Sequence, residues 1–307
     1  MTPSEGPARP VPSLAHASAG APALDAERLR GLLLAPAGPL ARLEVVESVS
    51  STNTELADEL RAAPSLWPTP GLLVAERQTA GRGRSGRAWV TAPGTALTGT
   101  FVVRPSLPAS ALGWLPLLAG LGVVTALRAT AGVRAFLKWP NDIVVDNQVG
   151  HVEGWGTWRK LGGILTEVVP APGTPDAGPA AVLVGIGINV TQRPDELPVP
   201  SATSLALAGA RHAARESVLV AVVTALADVA DRLVAAGGDA AASGLADEVA
   251  AACVTLGRTV HVDLPGGERL DGLAARLDEA GALVVRGPAG ERTVLAGDVL
   301  LVRSPQM

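Results

Sequence analysis

The 307-residue chain contains one cysteine, no tyrosine and only 3% aromatic residues. The single Cys253 cannot form an internal disulfide, and no C-x-x-C pair is present to build the usual structural zinc site. The four histidines are scattered, and no two of them share an H-x-x-x-H spacing. Because nothing in the chain requires an oxidising compartment, we expect a cytoplasmic protein. Leucine, valine and alanine must fill most of its core.

Charge is also scarce, since 25 basic and 29 acidic residues make up 18% of the chain and give a formal net charge of −4. A net negative chain is a poor candidate for bulk binding of nucleic acid, although a local basic loop can still bind anions. A hydrophobic content of 48% excludes a wholly disordered chain. The length suggests about two domains.

Residues 105–127 carry no charge and are long enough to span a bilayer. They also contain three prolines and two serines, and this composition favours a helix packed inside a globular core. The N-terminus has no basic region followed by an apolar stretch. We therefore expect neither a signal peptide nor an association with membranes.

Three regions of the chain differ in pattern. Residues 1–40 begin with a stretch rich in Pro, Ala, Ser and Gly, which predicts a disordered tail followed by a short helix. Residues 41–255 alternate predicted strands and helices, which is typical of an α+β fold, a mixed β-sheet with helices packed on it. Residues 256–307 contain short alternating strands separated by glycine-rich turns, and they predict a small β-barrel.

A loop rich in glycine and arginine, GRGRSGR at residues 81–87, follows a predicted strand. It matches G-x-G-x-x-G, but a dinucleotide site also needs a helix directly after the glycines and an acidic residue about 20 positions on, and both are missing. Arg82, Arg84 and Arg87 have no acidic neighbour in the sequence, so we expect them to bind an external phosphate or carboxylate. A solvated basic loop or an RNA-binding patch is the alternative.

The same loop carries a resemblance to a known family. GRGRSGRAW is similar to the GRGRxGRxW signature of biotin–protein ligases. Five blocks occur in the order of that family: SSTN at 50–53, AERQTAGRGRSGR at 75–87, KWPNDI at 138–143, KLGGILTE at 160–167 and GIGINV at 185–190. The resemblance covers residues 41–303. It implies a mixed-sheet catalytic domain of the biotin/lipoyl ligase type, followed by an SH3-like β-barrel.

The reaction that this resemblance implies uses biotin and ATP with Mg²⁺. The biotin carboxylate attacks the α-phosphate of ATP, which gives biotinyl-5′-adenylate and pyrophosphate. A lysine of a biotin carboxyl carrier protein then attacks the adenylate and releases AMP. Such a ligase must hold two anions together, neutralise the charge that develops between them, and exclude water.

The resemblance also implies roles for individual residues. Lys160 and Arg84 are the predicted catalytic residues, since an ammonium at position 160 can contact both the biotin carboxylate and the α-phosphate. The predicted biotin-binding residues are Ser51, Thr52, Asn53, Gln78, Arg82, Gly83, Arg84, Lys160, Gly162 and Gly163. The predicted nucleotide-binding residues are Arg84, Arg87, Trp89, Asn141, Asp142 and Asn189. Helix capping is the competing interpretation for the Ser-Thr-Asn trio, and a turn aspartate for Asp142. The magnesium ligands are left open, since Asn141 and Asp142 can bind ribose, phosphate or a magnesium ion.

Two features depart from the family pattern. Residues 146–159 are longer than the turn expected before Lys160, so they predict either an extended hairpin or a shifted alignment of that lysine. The stretch before residue 41 is too short for the winged-helix domain of repressor relatives, so we expect no binding to DNA. Lipoate–protein ligase, which shares the fold, and a non-enzymatic nucleic-acid-binding module are the alternative functions.

Overall fold

The computed structural model describes residues 22–104, 107–147, 150–170 and 179–301. Its larger sheet has seven strands in the order β1-β2-β3-β7-β6-β5-β4. These strands are β1 (Arg42–Val49), β2 (Gly71–Gln78), β3 (Ala96–Val103), β4 (Ala135–Lys138), β5 (Asp142–Asp146), β6 (Trp158–Pro170) and β7 (Pro179–Asn189). The β1–β2 pair is parallel and every other pair is antiparallel, which confirms the predicted mixed sheet.

Helices cover both faces of this sheet. They are α1 (Ala26–Leu33), α2 (Thr52–Ala62), α3 (Leu115–Thr130), α4 (Arg215–Ala235) and α5 (Leu245–Ala252). Because side chains alternate along a strand, neighbouring residues of β3 enter different cores. Val102 belongs to the small core under α2, whereas Phe101 belongs to the large core that includes α3 and α4.

Helix α3 lies in the middle of the large core. Within the described parts of the chain, residues 111–130 are the one stretch long and apolar enough to cross a membrane. Most of this stretch is buried, however, against α4 and the sheet. Leu117, Val123, Val124 and Leu127 are almost completely inaccessible to solvent. The helix therefore packs as the interior helix that the proline-containing sequence predicts.

A second sheet follows α5 and contains five antiparallel strands in the order β11-β10-β9-β8-β12. The strands are β8 (Thr259–Asp263), β9 (Arg269–Leu277), β10 (Leu283–Gly287), β11 (Gly290–Val294) and β12 (Asp298–Leu301). Two tryptophans attach this sheet to the rest of the molecule. The indole nitrogen of Trp114 donates to the Glu279 carbonyl at 2.8 Å, and that of Trp139 donates to the Gly281 carbonyl at 3.2 Å. The predicted small β-domain is thus present and is packed against the larger sheet.

Helix α1 is predicted as part of the N-terminal region, and it contributes to the large core. Its Leu29 and Leu33 are completely buried, and the helix contacts α4 and β1. Residues 1–21 of the predicted tail lie outside the described part of the chain. The domain limits at residues 41 and 255 remain a prediction.

Candidate active site

A cavity of about 520 Å³ lies between the large sheet, the glycine-arginine loop and strand β12. All the predicted site residues except Gly162 line this cavity. Gly162 instead lets β6 and β7 approach closely, because a Cβ atom at this position would overlap the carbonyl oxygen of Gly187. The neighbouring Gly163 does line the cavity, and the role of Gly162 in biotin binding stays a prediction.

The start of α2 forms one wall of the cavity. Ser51 occupies the N-cap position but makes no capping hydrogen bond with its side chain. The backbone N–H of Thr52 donates instead to Oε1 of Gln78, at the end of β2, at 2.8 Å. A glutamine from the adjacent strand thus supplies the cap that the sequence assigned to Ser51 or Thr52. All three side chains still line the cavity.

A buried polar network continues from this wall. The Thr100 hydroxyl lies 2.7 Å from the Thr52 hydroxyl and 2.6 Å from Oδ1 of Asn53. The amide nitrogen of Asn53 donates to a carboxylate oxygen of Glu167 at 2.7 Å. Thr100 is completely buried in the centre of β3, and sequence analysis did not select it. These fixed donors and acceptors provide a polar surface for a small ligand with several hydrogen-bonding atoms.

Lys160 and Asp142 form the charged centre of the site. The ammonium of Lys160 lies 2.5 Å from Oδ1 of Asp142, and that of Lys138 lies 3.6 Å from Oδ2. Lys160 is partly accessible, at 29% of its side chain, whereas Lys138 is only 4% accessible. Asp142, the first residue of β5 after the turn at 139–141, is therefore a shared counter-ion of two lysines.

The pKa values of this cluster follow from burial and charge. Burial alone would raise the pKa of Asp142, but the two lysines and Arg84 outweigh it and lower the pKa. Burial lowers the pKa of Lys138 despite the favourable charge of Asp142. Burial also lowers the pKa of Arg84, although a guanidinium stays protonated in proteins.

The glycine-arginine loop folds into a small hairpin over the cavity. Gly83 donates its N–H to the Arg87 carbonyl at 2.7 Å, and Trp89 donates its N–H to the Gly81 carbonyl at 2.8 Å. Ser85 and Gly86 reverse the chain in the left-handed region, with φ angles of 54° and 73°. The backbone is thereby folded so that Arg82, Arg84 and Arg87 all reach the cavity lining.

Two of these three arginines have acidic partners that come from distant parts of the chain. Arg82 lies 3.3 Å from the Glu167 carboxylate, and Arg87 forms an ion pair with Asp298 of β12. Among the residues that the structure describes, the Arg84 side chain has one hydrogen bond, to the side-chain oxygen of Asn141 at 3.4 Å. Arg84 is thus the loop cation most available to an external anion.

Three other predicted nucleotide-binding residues, Trp89, Asn141 and Asn189, differ in whether their side chains are already hydrogen-bonded within the protein. Trp89 packs against Gly187, where a Cβ atom would lie 2.6 Å from its ring, and its buried indole nitrogen has no hydrogen-bond partner. Asn141 is held by the Ile164 carbonyl at 2.6 Å. The Asn189 amide is already engaged, since it donates to the Thr203 carbonyl and accepts from Gln192. The hydrogen bonds of Asn189 therefore stabilise the cavity wall.

The long connection between β5 and β6 also reaches the cavity. Residues 150–157 contain a tight hairpin that is closed by a single antiparallel β-bridge between Val152 and Gly156. This places Trp155 in the cavity wall, with the Lys138 ammonium 4.6 Å from the centre of its ring. The connection is thus an extended turn, and Lys160 keeps its position facing the site. Trp155 and Asp298 also line the cavity, and no local sequence pattern links either residue to the motifs.

The described residues contain no group of three or more His, Cys, Asp or Glu that could hold a metal ion. The three carboxylates that line the cavity are all paired with cations, Asp142 with two lysines, Asp298 with Arg87 and Asp263 with Arg269. These residues do not fit a resident metal site. A magnesium ion would enter with the phosphates of its nucleotide, as part of the substrate.

Comparison with known proteins follows the same division of the chain. Residues 45–189 match the family described as "Biotin/lipoate A/B protein ligase family", and residues 255–302 match "Biotin protein ligase C terminal domain". A biotin–[acetyl-CoA-carboxylase] ligase of Mycobacterium tuberculosis is 36% identical over 92% of this chain and 97% of its own length. The corresponding ligase of Paracoccus denitrificans is 32% identical over 82% of this chain and 98% of its own.

The fold has solved counterparts as well. A biotin protein ligase from Aquifex aeolicus in complex with biotin and ATP superimposes with a TM-score of 0.66 at 28% identity, over 86% of this chain and all of that chain. The mixed sheet and its cavity define a cofactor–protein ligase of the biotin/lipoate class. Both family regions are matched, and two relatives are similar over nearly their whole length. The chain therefore belongs to the biotin protein ligase family.

Proposed function

We propose that this protein is an ATP-dependent ligase that adenylates biotin and transfers it to a lysine of a biotin carboxyl carrier protein. The observation that carries the proposal is the position of Lys160. Its ammonium is fixed on the buried Asp142 at 2.5 Å and remains partly accessible from a cavity that Arg84 also lines. An ammonium held in this way can reduce the repulsion between two anions that must come into contact to react.

The charge balance of the cavity supports this role. Five cations and three carboxylates line the cavity, so its lining carries a net positive charge; they are Arg82, Arg84, Arg87, Lys138, Lys160, Asp142, Asp263 and Asp298. The biotin carboxylate and the α-phosphate of ATP would bring the compensating negative charge. Because the cluster is largely buried, its attraction for anions is stronger than that of the same charges in water. Binding of the two anionic substrates would thus neutralise the excess positive charge of the cavity.

In the first step, a biotin carboxylate oxygen attacks the α-phosphorus and pyrophosphate leaves with the electron pair of the broken P–O bond. Lys160 would lower the repulsion between the two anions, and Arg84 would neutralise charge on the phosphate oxygens. The glycine-arginine loop lies over the cavity, where its closure would keep water from the reactive anhydride. Trp89 and Trp155 would provide flat apolar surfaces for the adenine.

The polar network beside α2 favours biotin over lipoate. Thr52, Asn53 and Gln78 line the cavity with hydroxyl and amide groups that can pair with a ureido ring, which has one acceptor and two donors, and the buried Thr100 holds Thr52 and Asn53 in place. The dithiolane ring of lipoate has no N–H or O–H group, so it would make fewer hydrogen bonds with this wall. A nucleic-acid-binding role gains no support, since Arg82 and Arg87 are paired with carboxylates of the same chain.

The second step requires an acceptor. The names of the relatives point to the biotin carboxyl carrier domain of an acetyl-CoA carboxylase as the partner. We place the reaction in the cytoplasm, consistent with a chain that has one buried, unpaired cysteine.

Calorimetric titration tests the proposal. Biotin should bind measurably, and addition of MgATP to the biotin complex should release pyrophosphate and leave a tightly bound adenylate. Lipoate, added at the same concentration, should neither bind nor raise the melting temperature. Preferential binding of lipoate would contradict the biotin assignment, and binding of neither acid would contradict the ligase assignment.

A further inference from the structure

One carboxylate beside the cavity joins the polar wall at α2 to the glycine-arginine loop. Glu167 ends the KLGGILTE block on β6 and is not among the predicted site residues. Because side chains alternate along a strand, it lies on the same face of β6 as Leu165, which lines the cavity. Glu167 itself is not among the described residues that line the cavity. An effect of Glu167 on a ligand would therefore pass through its neighbours.

The two oxygens of this carboxylate have different partners. Oε2 accepts from the amide nitrogen of Asn53 at 2.7 Å, and Oε1 lies 3.3 Å from a guanidinium nitrogen of Arg82. Arg82 is exposed and has a second contact, with the Thr54 hydroxyl at 3.3 Å. Asn53, by contrast, is buried in the cavity wall. The bond to Asn53 is therefore the stronger constraint, since a short distance and burial both strengthen it.

The partners of Asn53 determine which way its amide faces. The amide nitrogen also donates to the Leu165 carbonyl, at 3.2 Å. A carbonyl and a carboxylate only accept hydrogen bonds, so the amide nitrogen must face these two partners and Oδ1 must face away from them. Oδ1 accepts from the Thr100 hydroxyl at 2.6 Å, and this bond uses one of its two lone pairs. The second lone pair has no donor among the described residues.

The sheet leaves room for this oxygen at the cavity wall. Gly185 of β7 lines the cavity, and a Cβ atom at this position would overlap Oδ1 of Asn53. The acceptor oxygen therefore lies next to the space where a ligand binds. An acceptor at this place favours a ligand that carries an N–H group, as a ureido ring does. If the amide turned over, its own N–H would face the N–H of the ligand, and two donors cannot pair.

We propose that Glu167 is a positioning residue for biotin, because its carboxylate holds the Asn53 amide with Oδ1 toward the ligand. The inference rests on the proposed function and extends it to a residue outside the cavity lining. A glutamine at position 167 could not replace the carboxylate. One of its two terminal groups is N–H₂, which would face either Arg82 or the Asn53 nitrogen as a second donor. Loss of the carboxylate should therefore weaken biotin binding and spare the chemical step at Lys160.

Glu167→Gln tests this role, since it keeps the size of the side chain and removes one acceptor. Glu44→Gln is the matched control. Glu44 lies on β1 of the same sheet, is also paired with arginines, and has a side-chain accessibility of 38% against 33% for Glu167. It is not among the described residues that line the cavity. Calorimetric titration without ATP measures the Kd for biotin, and single-turnover kinetics at saturating biotin and MgATP measure adenylate formation.

Glu167→Gln should raise the Kd for biotin about fivefold or more, which corresponds to the loss of roughly one hydrogen bond to the ligand. The rate of adenylate formation at saturation should be unchanged, and Glu44→Gln should behave as wild type in both assays. A Kd for biotin in Glu167→Gln equal to that of wild type, or the same rise in Glu44→Gln, would overturn the positioning role. Failure of the wild type to bind biotin would instead refute the proposed function itself.

A double-mutant cycle shows whether Glu167 acts through Asn53. Asn53→Ala removes the amide that the carboxylate holds, so Glu167→Gln in this background should cause no further rise in the Kd for biotin. A purely structural role of Glu167, or an effect through Arg82 and the loop, would not depend on Asn53. Equal effects of Glu167→Gln in the wild-type and Asn53→Ala backgrounds would therefore overturn the proposal.

Discussion

Replacement of Asp142 by Asn should destabilise the protein strongly, because the change leaves a buried ammonium without its counter-ion. Lys138 is only 4% accessible and Asp142 only 12%, so water cannot replace the lost carboxylate. Breaking a buried ion pair by removing one partner costs about 3–5 kcal/mol. For a chain of this size, that loss corresponds to a fall of roughly 10 °C in Tm. Thermal unfolding followed by circular dichroism measures it.

The destabilisation should also depend on pH. The lowered pKa of Asp142 means that its contribution in the wild type is present at neutral pH and is lost as the pH falls through the folded-state pKa. The pKa of Lys138 is lowered from 10.5 by burial, so the folded state sheds this proton before the unfolded state as the pH rises. A neutral Lys138 needs no counter-ion. The difference in Tm between Asp142→Asn and wild type should therefore become smaller toward pH 10.

The double variant Asp142→Asn/Lys138→Met is the control for this reasoning. It removes both charges of the buried pair and should recover much of the lost stability, since an apolar side chain of similar length can occupy the site of Lys138. A Tm for Asp142→Asn within about 1 °C of wild type at pH 7 would refute the buried-pair interpretation. So would a double variant no more stable than Asp142→Asn.

Two further predictions concern the loop and its tryptophan. The loop at residues 79–90 should exchange its amide hydrogens rapidly without ligand and slowly with biotinyl-adenylate, because its anchoring pairs, Arg82–Glu167 and Arg87–Asp298, are exposed and each contributes only about 0–1 kcal/mol. Equal protection in both states would refute this. Gly187→Ala should displace Trp89 and raise the Kd for ATP several-fold with little change in Tm, as measured by calorimetry. An unchanged Kd for ATP would exclude Trp89 from the nucleotide wall.

Much of the fold follows from local sequence patterns. A strand precedes the glycine-arginine loop, a buried helix forms within the uncharged segment at 105–127, and short strands separated by turns follow residue 255, as their local patterns predict. The motifs also cluster as expected, since they end or begin strands that are neighbours in one sheet.

Charge pairing could not be predicted in the same way. Arg82 and its partner Glu167 are 85 residues apart, and Arg87 and Asp298 are 211 apart. A search for acids near the loop in sequence cannot find partners that the sheet and the C-terminal domain bring to it. The capping of α2 by Gln78 was missed for the same reason, because the cap crosses from the adjacent strand.

The long connection before Lys160 was ambiguous for a different reason. Its length alone did not distinguish an extended turn from a shifted strand, and only the pairing of β5 with β6 resolves the register. Lys160 pairs with Val144 after an irregularity between Ile143 and Val144. That irregularity sets the register in which Lys160 reaches Asp142.

Single-turnover formation of biotinyl-adenylate by Lys160→Ala tests the proposed chemistry most directly. Loss of the ammonium should slow the step by about 10²-fold or more, comparable to loss of an oxyanion donor, and Lys160→Arg should restore little of it. Tm should fall by only a few degrees, because Lys138 still neutralises Asp142. Adenylate formation at nearly the wild-type rate in Lys160→Ala would contradict the assignment and make Lys138 the next candidate.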